Sequence, residues 1–337
     1  DIGKCVAFVD DFEAYAGGDI VILTPNIEID STFWGYYLNS PAIVSQKAMR
    51  GQGDAVVHIN SNALATIEVK YPPMPEQRRI AAALSDTDAI ITALERLIAK
   101  KRAVKQGAMQ ELLTGKRRLP GFEGEWVETT IGDLSIKLLS GYAFKSQTYI
   151  TTGKYKIITI ANVQQNKLDT SDCSVINKFP QDLQEYHLLK RGDILISLTG
   201  NVGRTCIVDK DYLLLNQRVG LFSEIAIDKA FFYHVLQDAR FISEMIANAK
   251  GGAQPNLGNK DVYGYKLLLP PTVAEQSAIA EILSDIDAEI DKLTAKLNKL
   301  CGIKQGMMSE LLTGRIRLIE QDATTITETS NAVMGRE

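Results

Sequence analysis

The chain is poor in the residues that build covalent and metal-bound frameworks. Its four cysteines, Cys5, Cys173, Cys206 and Cys301, are scattered with no pair at CxxC spacing, and its three histidines are equally dispersed. That pattern argues against a disulfide scaffold and against a zinc site. No apolar run reaches the roughly eighteen residues that a membrane-crossing helix needs. No basic, apolar, small-residue leader is present, which leaves the cytoplasm as the default location. A phosphate loop, a glycine-rich dinucleotide turn and a nucleophile elbow are also missing, so the expectation is a chain without catalytic activity or cofactor of its own.

What the sequence does contain is a long internal repeat. Residues 76–115 read EQRRIAAALSDTDAIITALERLIAKKRAVKQGAMQELLTG, and residues 275–314 read EQSAIAEILSDIDAEIDKLTAKLNKLCGIKQGMMSELLTG. The offset is a constant 199 residues without a gap, and about half the positions are identical. In the later copy Ile279, Leu283, Ile286, Ile290, Leu293, Leu297 and Leu300 alternate spacings of four and three, the seam of a left-handed coiled coil. The earlier copy offers Ile80, Leu84, Ile91, Leu94 and Ile98, with Thr87 and Lys101 interrupting the apolar pattern. Thr272 and Glu275 suit a capping box, Pro75 a first helical turn, and Gly115 and Gly314 left-handed C-terminal caps. Each helix could serve its own homodimer, or the two could pair within one chain. Matching length and register favour the second, antiparallel about a pseudo-twofold axis.

At 337 residues, 45% hydrophobic and 7% aromatic, the chain has the composition of two or three globular domains. Its net charge of −4 conceals a division. Residues 137–260 carry 15 Lys and Arg against 11 Asp and Glu, whereas residues 275–314 carry 7 acids against 4 lysines. The globular part is mildly basic and the spacer acidic, which is compatible with nucleic-acid binding by the globular part alone.

In chain order, residues 1–75 read as the back half of a globular domain. The segments DIGKCVAFVDD, GDIVILTP and ALATIEVKYPP are expected strands, with Val6, Phe8, Ile20, Val21, Ile22 and Leu23 as core candidates. Residues 32–49 are a helical stretch interrupted by Pro41. Each piece has a later counterpart in NVGRTCIVDKD, KAFFYHVLQDARFISEMIAN and DVYGYKLLLPP, so the duplication extends beyond the helices. By that alignment Asp1 corresponds to about Asn201, and the first unit looks truncated at its start. Tyr71-Pro72-Pro73 superficially suggests an amino-methyltransferase loop, but its first residue lacks the required polar acceptor, and it reads as a strand exit. Residues 116–125 form a linker, and residues 126–271 a second domain of short strands with a helix over residues 229–248. Residues 315–337 make a tail whose Thr-, Ser- and Glu-rich end has the composition of disorder.

Four polar loops of the second domain carry groups suited to DNA. SGYAFK offers Tyr142 and Lys145; TGNVGR offers Thr199, Asn201 and Arg204, its glycines admitting a phosphate to backbone amides. Asn216, Gln217 and Arg218 end an apolar strand, and Lys250, Gln254 and Asn256 lie in a glycine-containing loop. Amide side chains match the adenine edge, and Arg the guanine edge. Each loop is equally readable as scaffolding, and only their concentration in one basic domain suggests a sequence reader.

The GDILIS segment with its following GxxG, the Q-x-x-L of residues 254–257, the Leu-Pro-Pro to EQxxI passage and the KQGxMxELLTG helix end resemble the specificity subunit of type I restriction–modification systems. The resemblance covers nearly the whole chain. It implies an α+β fold with two target recognition domains, the first partial, separated by two long helices forming an antiparallel coiled coil. It further implies double-stranded DNA as ligand, read as a bipartite target, and partnership with two methyltransferase (M) subunits and with restriction (R) motor–nuclease subunits. A single-half reader acting as a homodimer and an interaction scaffold that binds no DNA remain alternatives.

Overall fold

The computed structural model describes residues 3–18, 20–51, 59–251 and 255–318. The chain divides into two compact units, one from residues 1–99 and 291–337, the other from residues 100–290. Four helices come first: α1 (Ser31–Tyr37), α2 (Pro41–Arg50), α3 (Ser61–Leu64) and the long α4 (Met74–Leu112). Then follow β1 (Val127–Thr130), β2 (Lys137–Ser140), β3 (Tyr155–Ile158), β4 (Val163–Gln164), β5 (Lys167–Leu168) and β6 (Val175–Ile176). Next are β7 (Leu188–Leu189), β8 (Ile194–Ser197), β9 (Thr205–Ile207), β10 (Leu213–Leu215) and β11 (Val219–Ser223). Helices α5 (Lys229–Gln237), α6 (Ala239–Asn248) and α7 (Asn259–Tyr263), strand β12 (Lys266–Leu269) and the long α8 (Val273–Leu311) complete the order.

α4 and α8 have 39 residues each, about 58 Å at 1.5 Å per residue. Each contributes one part to each unit, and within both units they pack antiparallel. In the first unit Lys304 Nζ lies 2.6 Å from Asp88, Thr87 Oγ1 contacts the Met307 sulfur, and Ile80 and Leu84 share a core with Leu311 and Leu312. In the second, Lys101 and Lys105 pair with Glu289 and Asp287 at 2.7 and 2.6 Å, while Met109, Leu112 and Leu113 pack with Ile279 and Leu283. Ile80, Leu84, Leu94, Ile98, Ile279, Leu283 and Ile290 are buried; Ile91, Ile286, Leu293, Leu297 and Leu300 are half-buried. The two interruptions are accommodated chemically. Thr87 returns its hydroxyl to Ala83 O at 2.8 Å, and Lys101 takes its salt bridge.

Gly115 and Gly314 adopt φ of +67° and +72°, which closes the two helix ends in the same way. At the start of α8 only half of the expected capping box forms. Thr272 Oγ1 accepts from Glu275 N at 3.2 Å, but the Glu275 carboxylate turns to Arg118 (2.8 Å) and Trp126 Nε1 (3.2 Å) instead of the cap. Arg118 belongs to the linker after α4, so that linker is tied down and not a free loop.

The first unit differs from the sequence expectation. No strand forms among the described residues of 3–75, and Val6, Phe8, Ile20, Val21, Ile22 and Leu23 are exposed where a core was expected. A strand needs a neighbour to satisfy its backbone groups. β12 has one in β1, whereas its counterpart at residues 67–70 has none among the described residues. The helical stretch does form, split at Pro41, which takes the first position of α2. The core of this unit is Phe33, Tyr37 and Ile43 against Ile80, Ala81 and Leu84. The C-terminal residues beyond 318 lie outside the described residues.

The second unit holds two four-stranded sheets, ordered β2-β11-β8-β9 and β6-β3-β10-β7, with the hairpin β4-β5 and the pair β1-β12. β8 explains the layering. Ile194 and Ile196 face the helices with Phe231, Phe232 and Phe241, while Leu195 faces the second sheet with Ile158, Leu213 and Leu215. A strand buried on both sides reads as a continuous apolar run, as ILIS does. The helix expected over residues 229–248 is broken at Asp238. Its backbone is extended there (ψ 138°), and its carboxylate caps α6 by accepting from Arg240 N at 2.8 Å.

Candidate nucleic-acid interface

Backbone hydrogen bonds in the second unit tie the four sequence-nominated loops into one surface. The chain leaving β2 runs against the end of β10 so closely that a Cβ at Gly141 would fall 2.2 Å from Asn216 O. Tyr142 N then donates to Leu215 O, and Gln217 N to Tyr142 O, at 2.9 and 3.0 Å. Residues 216–219 turn back on themselves through Val219 N to Asn216 O. Leu198 N donates to Arg218 O, Leu257 N to Leu198 O and Gly200 N to Pro255 O. Lys250 and Asn256 exchange both backbone hydrogen bonds, at 2.9 and 2.8 Å.

Side chains continue this network. Thr199, 3% exposed, donates its hydroxyl to Asn256 Oδ1 at 2.7 Å, and Arg218 Nη1 donates to the same oxygen at 3.3 Å. Tyr142 is half-buried, edge-on to Phe144 and His187, and its hydroxyl donates to Asp182 at 2.8 Å. That hydrogen bond, with some desolvation, raises the phenol above its ordinary pKa, so it remains a neutral group. Lys145, Asn201, Gln217, Arg218, Lys250 and Asn256 are exposed, and Asn216 is half-buried. Arg204 belongs to a different neighbourhood, its Nη1 donating to Gln164 Oε1 of β4 at 2.7 Å. Gln254 lies outside the described residues.

The structure adds groups that the sequence reading passed over. Lys178 and Phe179 line a cleft of about 590 Å³ together with Tyr142 and Lys145. Lys154 Nζ sits 4.4 Å from the centre of the Tyr212 ring and 5.4 Å from that of Tyr155. The signal for the cleft was available, because NKFP repeats the lysine-with-aromatic pattern of YAFK.

The cations of this unit divide into paired and unpaired ones. Lys137, Lys190, Arg191, Arg240 and Lys266 each hold a carboxylate within 4 Å. Among the described residues Lys145, Lys178, Arg204, Arg218 and Lys250 hold none, and neither do Lys154, Lys156, Lys167, Lys210, Lys229 and Lys260. No group of His, Cys, Asp and Glu among the described residues is arranged to hold a metal ion, and no described helix is long and apolar enough to cross a membrane. Burial pushes the Cys206 thiol up to about 12 and the His234 imidazole down to about 4; both sit in the protein interior, away from this surface.

Comparison with known proteins places this architecture. Residues 3–105 and 123–301 match the type I restriction modification DNA specificity domain. The chain therefore belongs to that family. The MjaVIII type I restriction enzyme specificity subunit of Methanocaldococcus jannaschii is 28% identical over 289 residues, covering 79% of this chain and 66% of the relative. The putative MjaX specificity subunit of the same organism is 26% identical over 272 residues, covering 77% and 62%. The chain thus spans slightly less than two thirds of the length of these curated relatives. Among solved structures, the type I restriction–modification S subunit from M. genitalium shares the fold at a TM-score of 0.59, with 19% identity over 84% of this chain and 73% of that one.

Proposed function

We propose that this chain is the DNA-reading, non-catalytic specificity component of a cytoplasmic type I restriction–modification complex. Residues 126–271 form one reader and residues 1–75 belong to a second, so that the target is bipartite. The long helices, residues 76–115 and 272–314, hold the readers at a set spacing, with residues 116–125 as the linker after the first helix and residues 315–337 as a tail. They also present the faces that bind two methyltransferase subunits, to which restriction subunits add. Double-stranded DNA is the ligand.

The observation that carries this reading is the gathering of uncompensated cations on one set of connected loops. Among the described residues Lys145, Lys178, Arg218 and Lys250 have no carboxylate partner, and they lie on loops bound to one another or lining the Tyr142 cleft. A surface left with uncompensated Lys and Arg attracts a polyanion. Duplex binding by the full chain, titrated with salt, tests it. Each phosphate contact contributes about −0.9 to the slope of log K against log salt, so Lys145→Ala and Lys250→Ala should each flatten the slope by about one unit. No binding to any duplex, or slopes unmoved in both variants, would overturn the proposal.

A further inference from the structure

We infer that Arg218, Asn256 and Thr199 form a donor-only reading head that selects a guanine through its major-groove edge, and that Asn256 does not read adenine. This rests on the DNA-reading proposal above and specifies what that surface recognises.

The orientation of the Asn256 amide is fixed by chemistry. Arginine has N–H donors and no acceptor, so the Asn256 atom facing Arg218 Nη1 is the oxygen. The same oxygen accepts the Thr199 hydroxyl at 2.7 Å, from a residue only 3% exposed. Both acceptor directions of Oδ1 are then occupied inside the protein. An amide that reads adenine must accept from N6 while donating to N7. Asn256 can still donate through Nδ2, but it has no oxygen left to accept. Its main chain is equally constrained, because its N–H and C=O both bond to Lys250.

What the head presents outward is therefore the Asn256 amide hydrogens, the remaining guanidinium hydrogens of Arg218 and the Lys250 ammonium. Arg218 and Asn256 are exposed, so these donors face solvent. In the major groove guanine alone shows adjacent acceptors, O6 and N7; adenine sets a donor beside its N7, and thymine sets a methyl group beside its O4. A donor-only head is matched by guanine and opposed by the N6 hydrogens of adenine. Gln217, exposed on the neighbouring turn with no side-chain partner among the described residues, keeps both amide functions. Mixed donor–acceptor recognition is thereby moved to the adjacent position.

Selection of duplexes from a random pool by the full chain, followed by affinity measurements on the selected site, tests the inference. One base pair should be a guanine whose replacement by 7-deazaguanine, which lacks N7, weakens the parent chain about tenfold or more. Arg218→Lys keeps the charge but not the fork. It should lose the preference at that base pair alone, with the salt slope unchanged. Asn256→Ala should relax the same position. An adenine at the Arg218-dependent position would overturn the inference, as would uniform weakening of all sequences by Arg218→Lys. Failure of the parent chain to bind any duplex would instead remove the underlying DNA reading, and the inference with it.

Discussion

Each unit contains the same lock, its long-helix and linker residues 199 positions apart, and the two locks differ on the domain-helix side. In the second unit Lys105 binds Asp287 and also donates to Gln237 Oε1 of α5 at 2.9 Å. In the first, Lys304 binds Asp88 and lies 5.4 Å from the centre of the Tyr36 ring of α1. Arg118 on Glu275 is repeated as Arg317 on Glu76. The glutamine beside each of these glutamates clamps the start of the adjacent domain helix. Gln276 Oε1 accepts from Asp228 N at 3.0 Å, and Gln77 Oε1 accepts from Asp30 N at 3.2 Å. A further difference falls where a domain helix meets Ser85 or Ser284. The first lock uses Tyr36, whose hydroxyl donates to Asp88 at 2.7 Å, and the second uses His234, with Nε2 3.0 Å from Ser284 Oγ. The EQ and KQG motifs are thus the two sides of a joint that ties helix to helix and both to a globular domain. The chemistry of one member can change while the joint persists.

The comparison can be broken hardest in the apolar part. Leu84 and Leu283 are equivalent and both fully buried. Leu84→Ala and Leu283→Ala should each cost about 3 kcal/mol from lost transfer energy and the cavity left behind. Hydrogen exchange should localise the loss to α1 and α4 in one case and to α5 and α8 in the other. Similar loss of protection in both places from either variant would show that the units do not unfold separately.

The exchange of Tyr36 for His234 predicts a difference in acid response. Burial first, and then the charge of Lys105, holds the folded His234 near 4 against an ordinary value of 6.5. Between those values the unfolded chain takes up a proton that the folded chain refuses. Stability therefore falls as pH drops from 6.5 to 4, by up to about 3 kcal/mol. Tyr36, its phenol pushed up mainly by burial, stays neutral throughout that range and adds no such loss. Denaturant melts at pH 7 and pH 4.5 should show His234→Gln closing most of the gap; an unchanged gap would assign the acid response elsewhere.

Smaller effects separate the two lysines. Lys105 has a side chain 9% exposed, against 25% for Lys304. Lys105→Met should cost about 2 kcal/mol by leaving Asp287 unpaired, and Lys304→Met about 1 kcal/mol because water reaches that pair. Equal costs in double-mutant cycles with the two aspartates would contradict the exposure argument. Smallest of all, Lys266→Ala should change stability by less than about 0.5 kcal/mol, since its bridge to Glu128 is exposed on both sides.

The long helices, their ends and their duplication were legible in the local sequence. Heptad spacing and helix caps are local and survive any arrangement of the rest, as Gly115 and Gly314 illustrate. It also showed the strand segments of the second domain, because β8, β10 and β11 are apolar runs bounded by turn residues. Whether an apolar stretch becomes a strand depends on what folding sets beside it. Residues 20–23 and 219–222 read alike, yet the second pairs with β2 and β8 while the first lies exposed, since backbone pairing depends on a neighbour that local sequence does not specify. The fate of polar groups was likewise hidden. Glu275 looks like a capping residue and binds Arg118, 157 positions away. Asn256 has the amide of an adenine reader, and Thr199 with Arg218 occupies its oxygen. A side chain carries a fixed set of donors and acceptors, but which of them remain unsatisfied is set by the neighbours that folding brings to it.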